Sequence, residues 1–227
     1  MQKTTFIESL SLLKNLLMVN GQIIHGMLKI TRLPKPRVSI FGGHISKLAD
    51  YAHKAHALSY SLIRADISVL TGGGPGMMEA ANCGASHFDT SKTRARTLGI
   101  SVSGLETEAF NPCVGEKGII TSYFFARKWL LMYYSDVFIF FPGGIGTIDE
   151  LTEVLTLTQT KKLPITPIIL FGKEYWQPLI EWLNNVVIHS GMAFAQDIEA
   201  IIITDDVDEA LALIKKHCNN IHKKVKE

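Results

Sequence analysis

Residues 137–150, VFIFFPGGIGTIDE, decide the fold because they join an apolar run, a glycine-rich turn and the start of a helix. The run Val137–Phe141 is apolar without alternation, which is typical of a strand that is buried on both faces. Pro142 ends the run. Thr147 and Glu150 then stand at the spacing of a capping box, in which each side chain satisfies a free backbone N–H at a helix start. The segment therefore predicts a strand, a glycine loop and a helix in succession.

Further apolar runs alternate with helix-length patterns on both sides of this segment. The runs lie at residues 38–41, 67–70, 98–102, 165–171 and 201–203, and the helical patterns lie near residues 46–64, 76–88, 122–135, 147–160, 175–190 and 207–218. Apolar strands that are separated by helices indicate a parallel sheet with helices on both faces. The sequence therefore predicts an α/β fold of the Rossmann-like, doubly wound type, in a single domain.

The chain divides into a body with an extension at each end. Residues 1–36 carry apolar side chains at near-helical spacing and end in prolines, which terminate helices, so we predict an N-terminal helical extension there. We assign the Rossmann-like domain to residues 37–214 and a basic tail to residues 215–227. Residues 104–121 form the only long irregular connection, which is typical of a binding loop or lid.

Composition and charge exclude several classes of protein. The 227 residues are 47% hydrophobic with a net charge of +2, which argues against disorder, and no apolar run is long enough to span a membrane. The 13 basic and 19 acidic residues of 37–214 leave the body acidic, so we expect no nucleic-acid partner. Three scattered cysteines do not predict a disulfide framework, and a reduced, cytoplasmic location is expected.

Three of the predicted strands are followed by glycine-rich turns, at Gly42-Gly43, at residues 72–76 and at residues 142–147. The second turn lacks the last glycine of a dinucleotide fingerprint, because Met77 stands in its place, and no Walker motif occurs. Such loops at helix N-termini expose backbone N–H groups that bind anions, so a phosphate-bearing ligand is the functional interpretation. The alternative is that the glycines only permit tight turns.

Glu150 has two interpretations from its spacing alone. As a capping residue it is explained by the helix start. As a functional residue, a carboxylate one turn beyond a bound phosphate lies near the sugar of a nucleotide, where it can stabilise positive charge at the anomeric carbon or orient a water.

The strings PGGIGTIDE at 142–150 and GGGPGMMEAAN at 72–82, with the pair Arg127-Lys128 followed by Met132, resemble the LONELY GUY family. The resemblance runs from about residue 38 to residue 183. It implies a homodimer that hydrolyses the N-glycosidic bond of AMP or N6-substituted, cytokinin-type AMP, giving free base and ribose 5-phosphate. It also implies that residues 37–214 are a nucleotide-monophosphate hydrolase domain with a small-molecule substrate. From the residues themselves we expect no membrane partner, no cofactor and no metal.

The resemblance assigns roles to particular residues. It implies that Glu150 and Arg127 are catalytic. Phosphate binding falls on Gly143, Gly144, Gly146 and Thr147, and ribose or base binding on Gly73, Gly74, Glu79 and Lys128. The chain departs from the family at Gly43-His44, where a serine is usual, so the ligand contact from that turn is altered.

Other activities are less consistent with the residues present. A pyridoxal enzyme needs a Schiff-base lysine and a partner for the ring nitrogen, and no motif in the sequence indicates such a lysine. A metal site at His53 and His56 is disfavoured because no third ligand lies nearby. The competing hypothesis is a nucleotide-binding or molybdenum-cofactor-binding carrier or sensor on the same scaffold, without turnover. Fold and phosphate loop are common to both, whereas Glu150 and Arg127 favour the enzyme.

Overall fold

The computed structural model describes residues 2–44, 49–86, 96–104, 110–114 and 118–224. The strands are β1 (Arg37–Phe41), β2 (Ser68–Thr71), β3 (Thr97–Val102), β4 (Ile119–Thr121), β5 (Val137–Phe140), β6 (Ile168–Phe171) and β7 (Ile201–Thr204). The α-helices are α1 (Gln2–Ile30), α2 (Ala49–Arg64), α3 (Met77–Ser86), α4 (Phe124–Tyr133), α5 (Ile145–Gln159), α6 (Lys173–Trp182) and α7 (Val207–Lys224). A π-helical turn (Leu183–Ile188) extends α6 and a short 3₁₀ helix (Ala195–Asp197) precedes β7.

The seven strands form one parallel sheet in the order β4-β3-β2-β1-β5-β6-β7. The predicted Rossmann-like α/β fold is confirmed, and each predicted apolar run overlaps a strand. Strand β4 was not predicted, because its three residues lie inside the connection 104–121 and its central residue, Ile120, faces solvent. Such a short edge strand carries no apolar run for sequence analysis to detect.

Helices cover both faces of the sheet. On one face, α2, α3 and α7 pack on alternate residues of β1, among them Val38 and Ile40. On the other face, the end of α1 packs with α4, α5 and α6 around the stacked rings of Phe41 and Phe140. Two-sided burial explains why the central strands are apolar without alternation.

Helix α1 contacts the body along one side only. Val19, Gly26 and Ile30 are buried, and a Cβ on Gly26 would lie 2.5 Å from the Leu130 side chain, so α1 and α4 approach closely there. Six further apolar residues of α1 are exposed: Leu12, Leu13, Leu16, Leu17, Ile24 and Leu28. Among the helices of the described ranges, none is long and apolar enough to cross a membrane.

A disulfide joins Cys83 of α3 to Cys113 in the connection between β3 and β4. The sequence does not predict this disulfide, because cysteines 30 residues apart show no recognisable spacing. Only the packing of that connection against α3 brings the two residues together. The third cysteine, Cys218, is buried in α7.

Candidate active site

The order of the strands reverses at β1, which lies between β2 and β5. The loops that follow these three strands are the three glycine-rich turns, and they meet at one edge of the sheet. The Gly43 N–H donates to the Pro142 carbonyl at 3.0 Å, and the Met77 N–H donates to the Gly43 carbonyl at 3.1 Å. A crevice at such a reversal is where doubly wound folds bind ligands.

Two glycines are required for the loops to approach this closely. A Cβ on Gly43 would lie 3.0 Å from the Gly143 Cα. Gly76 has a φ of +73°, and a Cβ there would lie 2.4 Å from the Cα of His44. Since both neighbours are backbone, larger residues at these positions would separate the loops.

Helix α5 begins three residues earlier than the capping box requires, so the predicted box is wrong. Gly144 is the N-cap, and no side chain caps the helix. Thr147 lies inside the first turn, where its N–H donates to the Gly144 carbonyl at 3.0 Å. Its side chain instead lies against Gly143, where a Cβ would be 2.2 Å from Thr147 Oγ1. Glu150 is therefore not engaged in capping.

The start of α5 leaves backbone donors available. Within the part of the chain that the structure describes, the N–H groups of Gly144, Ile145 and Gly146 have no hydrogen-bond partner. All three residues are exposed. Free N–H groups and the helix dipole together make this helix start suitable for an anion.

Glu150 and Arg127 form a buried ion pair at the same crevice. Glu150 Oε1 lies 3.5 Å from Arg127 Nη1, and the two residues are 7% and 8% exposed. Arg127 Nε donates to the Ile100 carbonyl of β3 at 2.9 Å. A Cβ on Gly72 would lie 2.1 Å from Arg127 Nη2, so the guanidinium lies directly on the second glycine loop. The arginine thus links α4, β3 and this loop to the carboxylate.

The surroundings of Glu150 disfavour its charged form. Burial raises the pKa of the carboxyl from 4.5 to about 7, although the Arg127 guanidinium opposes the shift, and Asp149 adds to it. The carboxyl therefore exchanges its proton near neutral pH, as a general base must.

This pKa predicts how stability depends on pH. Between pH 4.5 and 7 the unfolded chain has released the Glu150 proton while the folded protein keeps it, so rising pH favours unfolding. We expect a loss of about 3 kcal/mol in the free energy of unfolding over this range, complete above pH 7. Glu150→Gln has no such proton, so its stability relative to wild type should increase by that amount from pH 4.5 to 8, measured by denaturant titration. An equal difference between the two proteins at both pH values would contradict the prediction.

Lys128 lies beside the Arg127–Glu150 pair and contacts two other carboxylates of α5. Its Nζ lies 3.0 Å from Asp149 Oδ2 and 2.5 Å from Glu153 Oε2. Burial alone would lower the pKa of the amine, but the hydrogen bonds to Glu153 and Asp149 raise it above its ordinary value. Lys128 therefore braces α4 against α5 as a fixed cation, and its contact with ribose or base stays a prediction.

The second glycine loop is held by an asparagine that sequence analysis did not identify. Asn111 Nδ2 donates to the carbonyls of Gly73 and Gly74 and to Asn82 Oδ1, each at 3.0 Å. Asn82 also accepts from Thr71 Oγ1 at 2.7 Å. No spacing signal marks Asn111, because its partners are backbone groups 37 and 38 residues away.

Glu79, the remaining predicted ligand residue, lies in the first turn of α3 and is half-buried. It has no hydrogen bond or ion pair within the described ranges. Gly73 and Gly74 are buried beneath Asn111, so they present backbone rather than side chains. Their contacts with a ligand, like those of Glu79, stay predictions.

The sequence is similar to proteins of one family. The model of the family described as possible lysine decarboxylase matches residues 66–214. The pyrimidine/purine nucleotide 5'-monophosphate nucleosidase of Escherichia coli K12 is 30% identical over 184 residues, which cover 79% of this chain and 40% of that protein. The chain therefore spans less than half the length of this relative. The cytokinin riboside 5'-monophosphate phosphoribohydrolase of Rhodococcoides fascians is 25% identical over 190 residues, covering 80% of this chain and 91% of that protein.

Solved structures share the fold. The molybdenum cofactor binding protein of Rippkaea orientalis has a TM-score of 0.60 at 24% identity and covers 81% of this chain and 97% of its own. The molybdenum cofactor carrier protein of Chlamydomonas reinhardtii has a TM-score of 0.60 at 20% identity, covering 81% and 98%. At this level of identity the likeness concerns the arrangement of strands and helices.

Proposed function

The chain belongs to the family described as possible lysine decarboxylase, as the resemblance to LONELY GUY proteins predicted, and from this premise we propose that it hydrolyses the N-glycosidic bond of nucleoside 5'-monophosphates. The products are a free base and ribose 5-phosphate. We propose AMP or N6-substituted AMP as the substrate.

The buried Glu150–Arg127 pair carries this proposal. Glu150 lies five residues after the start of α5, which places it about 7 Å along the helix from the free N–H groups. A nucleotide whose phosphate is bound at the helix start, with Thr147 beside it, has its ribose next to this carboxylate. The same geometry follows whether the base is a purine or a pyrimidine.

The chemistry requires the C1'–N bond to break with its electron pair moving to the base. The sugar then passes through an oxocarbenium-like state, whose positive charge the Glu150 carboxylate stabilises. Water adds its oxygen to C1' and gives one proton to the Glu150 carboxylate, whose pKa of about 7 allows transfer at neutral pH. The departing base takes up one proton, so the two hydrogens of water end on the C1' hydroxyl and on the free base. Arg127 holds Glu150 in place and presents its planar fork to the ribose or phosphate.

Lysine decarboxylation fits the site poorly. A lysine that forms a Schiff base must first release its proton. Proteins usually lower the pKa of such a lysine by burying its amine away from anionic partners. Lys128, the lysine beside the pair, has two carboxylate partners and a raised pKa. We therefore take the family's description as a label rather than as the activity.

A chromatographic assay tests the proposal. Purified protein is incubated with AMP, N6-isopentenyl-AMP, GMP and CMP, and free base and ribose 5-phosphate are measured. Release of an adenine-type base supports the proposal, and the ranking of the four nucleotides measures the base preference, including the effect of His44. Binding of AMP without release of any base would contradict it and would favour the carrier or sensor hypothesis.

We also propose that the protein is a homodimer, as the resemblance implies. Helices α1 and α4 pack together and both expose apolar side chains away from the body. On α4 and the residue before it these are Tyr123, Phe124, Phe125, Trp129 and Tyr133. Exposed apolar surface of this extent is typical of an interaction site, and a second copy would cover it with the same surface.

Light scattering after size-exclusion chromatography measures the oligomeric state. We expect twice the mass of one chain for wild type, and the mass of one chain for the double variant Leu17→Glu/Ile24→Glu, because charges would be buried in the interface. Ile165→Glu is the matched control, since Ile165 is 80% exposed and lies outside α1 and α4. A monomeric wild type, or a double variant that stays dimeric, would contradict this arrangement.

A further inference from the structure

Tyr175 reaches the glycine loop before α5 although it belongs to the next helix, α6. Its hydroxyl donates a hydrogen bond to the Gly143 carbonyl oxygen. The ring packs edge-on against buried Trp176, with the two centroids 4.9 Å apart. The side chain is nevertheless 40% exposed, so its packing alone does not explain why it lies there.

The turn between β6 and α6 brings Tyr175 to this loop. Gly172 adopts a φ of +115°, and a Cβ there would lie 3.1 Å from the Pro142 Cγ. The next N–H, that of Lys173, is fixed by a 2.9 Å hydrogen bond to the Asp205 carboxylate. The first turn of α6 is therefore fixed to the end of β7 and lies beside the loop that follows β5.

The bond to Gly143 determines the direction of a neighbouring donor. In a trans peptide the carbonyl and the N–H point in opposite directions. Because Tyr175 holds the Gly143 carbonyl, the N–H of Gly144 points away from Tyr175. It is one of the three N–H groups without a partner in the described ranges, together with those of Ile145 and Gly146.

This peptide is the least restrained of the loop, since glycine stands on both of its sides. Glycine has no Cβ to limit rotation, so the Gly143–Gly144 peptide can turn over at low cost. A turned peptide would present its carbonyl oxygen where the N–H had been, and an oxygen repels a phosphate. A hydrogen bond that fixes the carbonyl therefore preserves the anion site.

We propose that Tyr175 is a positioning residue for phosphate, which orients the Gly143–Gly144 peptide so that the Gly144 N–H serves the phosphate of the nucleotide. This inference rests on the proposed function, since it assigns the start of α5 to a phosphate. It adds a residue from outside the glycine motif to the determinants of substrate binding.

The test compares Tyr175→Phe with wild type, using ribose 5-phosphate as the phosphate probe and adenine as the base probe in calorimetry. We expect the Kd for ribose 5-phosphate to rise about tenfold, and the KM for AMP with it, because one fixed donor is lost. We expect kcat, the Kd for adenine and Tm to stay near wild type, because the phosphate contact is equal in ground and transition states. Tyr60→Phe is the matched control, which removes a hydroxyl from α2.

The outcomes separate this inference from the proposed function. An unchanged Kd for ribose 5-phosphate in Tyr175→Phe would overturn it, and so would equal weakening of both probes with a lower Tm, since that indicates a structural role. If wild type binds ribose 5-phosphate but releases no base, the proposed function fails while the two Kd values still decide the role of Tyr175. If wild type does not bind ribose 5-phosphate, this inference is overturned, while release of base from AMP still decides the proposed function.

Discussion

Glu150→Gln is expected to lower kcat for base release by about 10³-fold, the largest effect of any single substitution proposed for this protein. The amide keeps the size of the side chain but carries no negative charge to oppose the positive charge at C1'. It also cannot accept a proton from water. The measurement is the rate of base release from AMP at saturating substrate, at pH 8, where the wild-type carboxyl is ionised.

Binding should survive this substitution. The phosphate contacts the start of α5, which Glu150→Gln leaves intact, so the Kd for ribose 5-phosphate should be close to that of wild type. Since burying the Glu150 charge destabilises the folded protein above pH 7, the variant should also be more stable than wild type at pH 8. An inactive variant that is more stable cannot be explained by misfolding.

Glu209→Gln is the matched control, because Glu209 lies on α7 and accepts a hydrogen bond from Thr204 rather than facing the crevice. We expect wild-type activity from it. A Glu150→Gln variant that retains more than about a tenth of wild-type kcat would contradict the catalytic role, because removal of a charge that stabilises the transition state costs far more.

The fold was predictable because its strands are buried on both faces. Runs such as Val137–Phe141 carry this pattern directly, and the glycines after β1, β2 and β5 mark the loops that meet at the reversal of strand order. The features that were not predicted depend on contacts between residues that are far apart in the sequence. Asn111 binds backbone carbonyls of the second loop, and the Cys83–Cys113 disulfide forms only once their segments pack together.

Glu150 shows where a local pattern leads to a wrong result. Thr147 and Glu150 have the spacing of a capping box, yet α5 begins at Ile145 because the carbonyl of Gly144 already accepts the N–H groups of Thr147 and Ile148. The glutamate is therefore available to pair with Arg127. That pairing joins residues 23 positions apart on two helices, which spacing cannot reveal and which only the resemblance to a family suggested.

Arg127→Met is expected to lower kcat/KM for AMP by about 10²-fold or more. The guanidinium is the principal group that keeps the pKa of Glu150 from rising further, so its removal should raise that pKa above about 7. The acidic limb of the pH profile of kcat/KM, which we expect near pH 7 in wild type, should then move to higher pH. Profiles from pH 5 to 9 measure this shift.

The direction of the shift distinguishes electrostatics from positioning. If Arg127 only positioned the substrate, activity would fall equally at every pH and the acidic limb would stay in place. Arg127→Lys keeps the charge without the planar fork, so its limb should remain closer to that of wild type. Arg96→Met is the matched control, because Arg96 also binds a carboxylate and a backbone carbonyl, both of Asp66, before the amino end of β3. Since α5 supplies the carboxylate and α4 the charge that adjusts its pKa, a shifted limb in Arg127→Met alone would indicate that the two helices act as one catalytic unit.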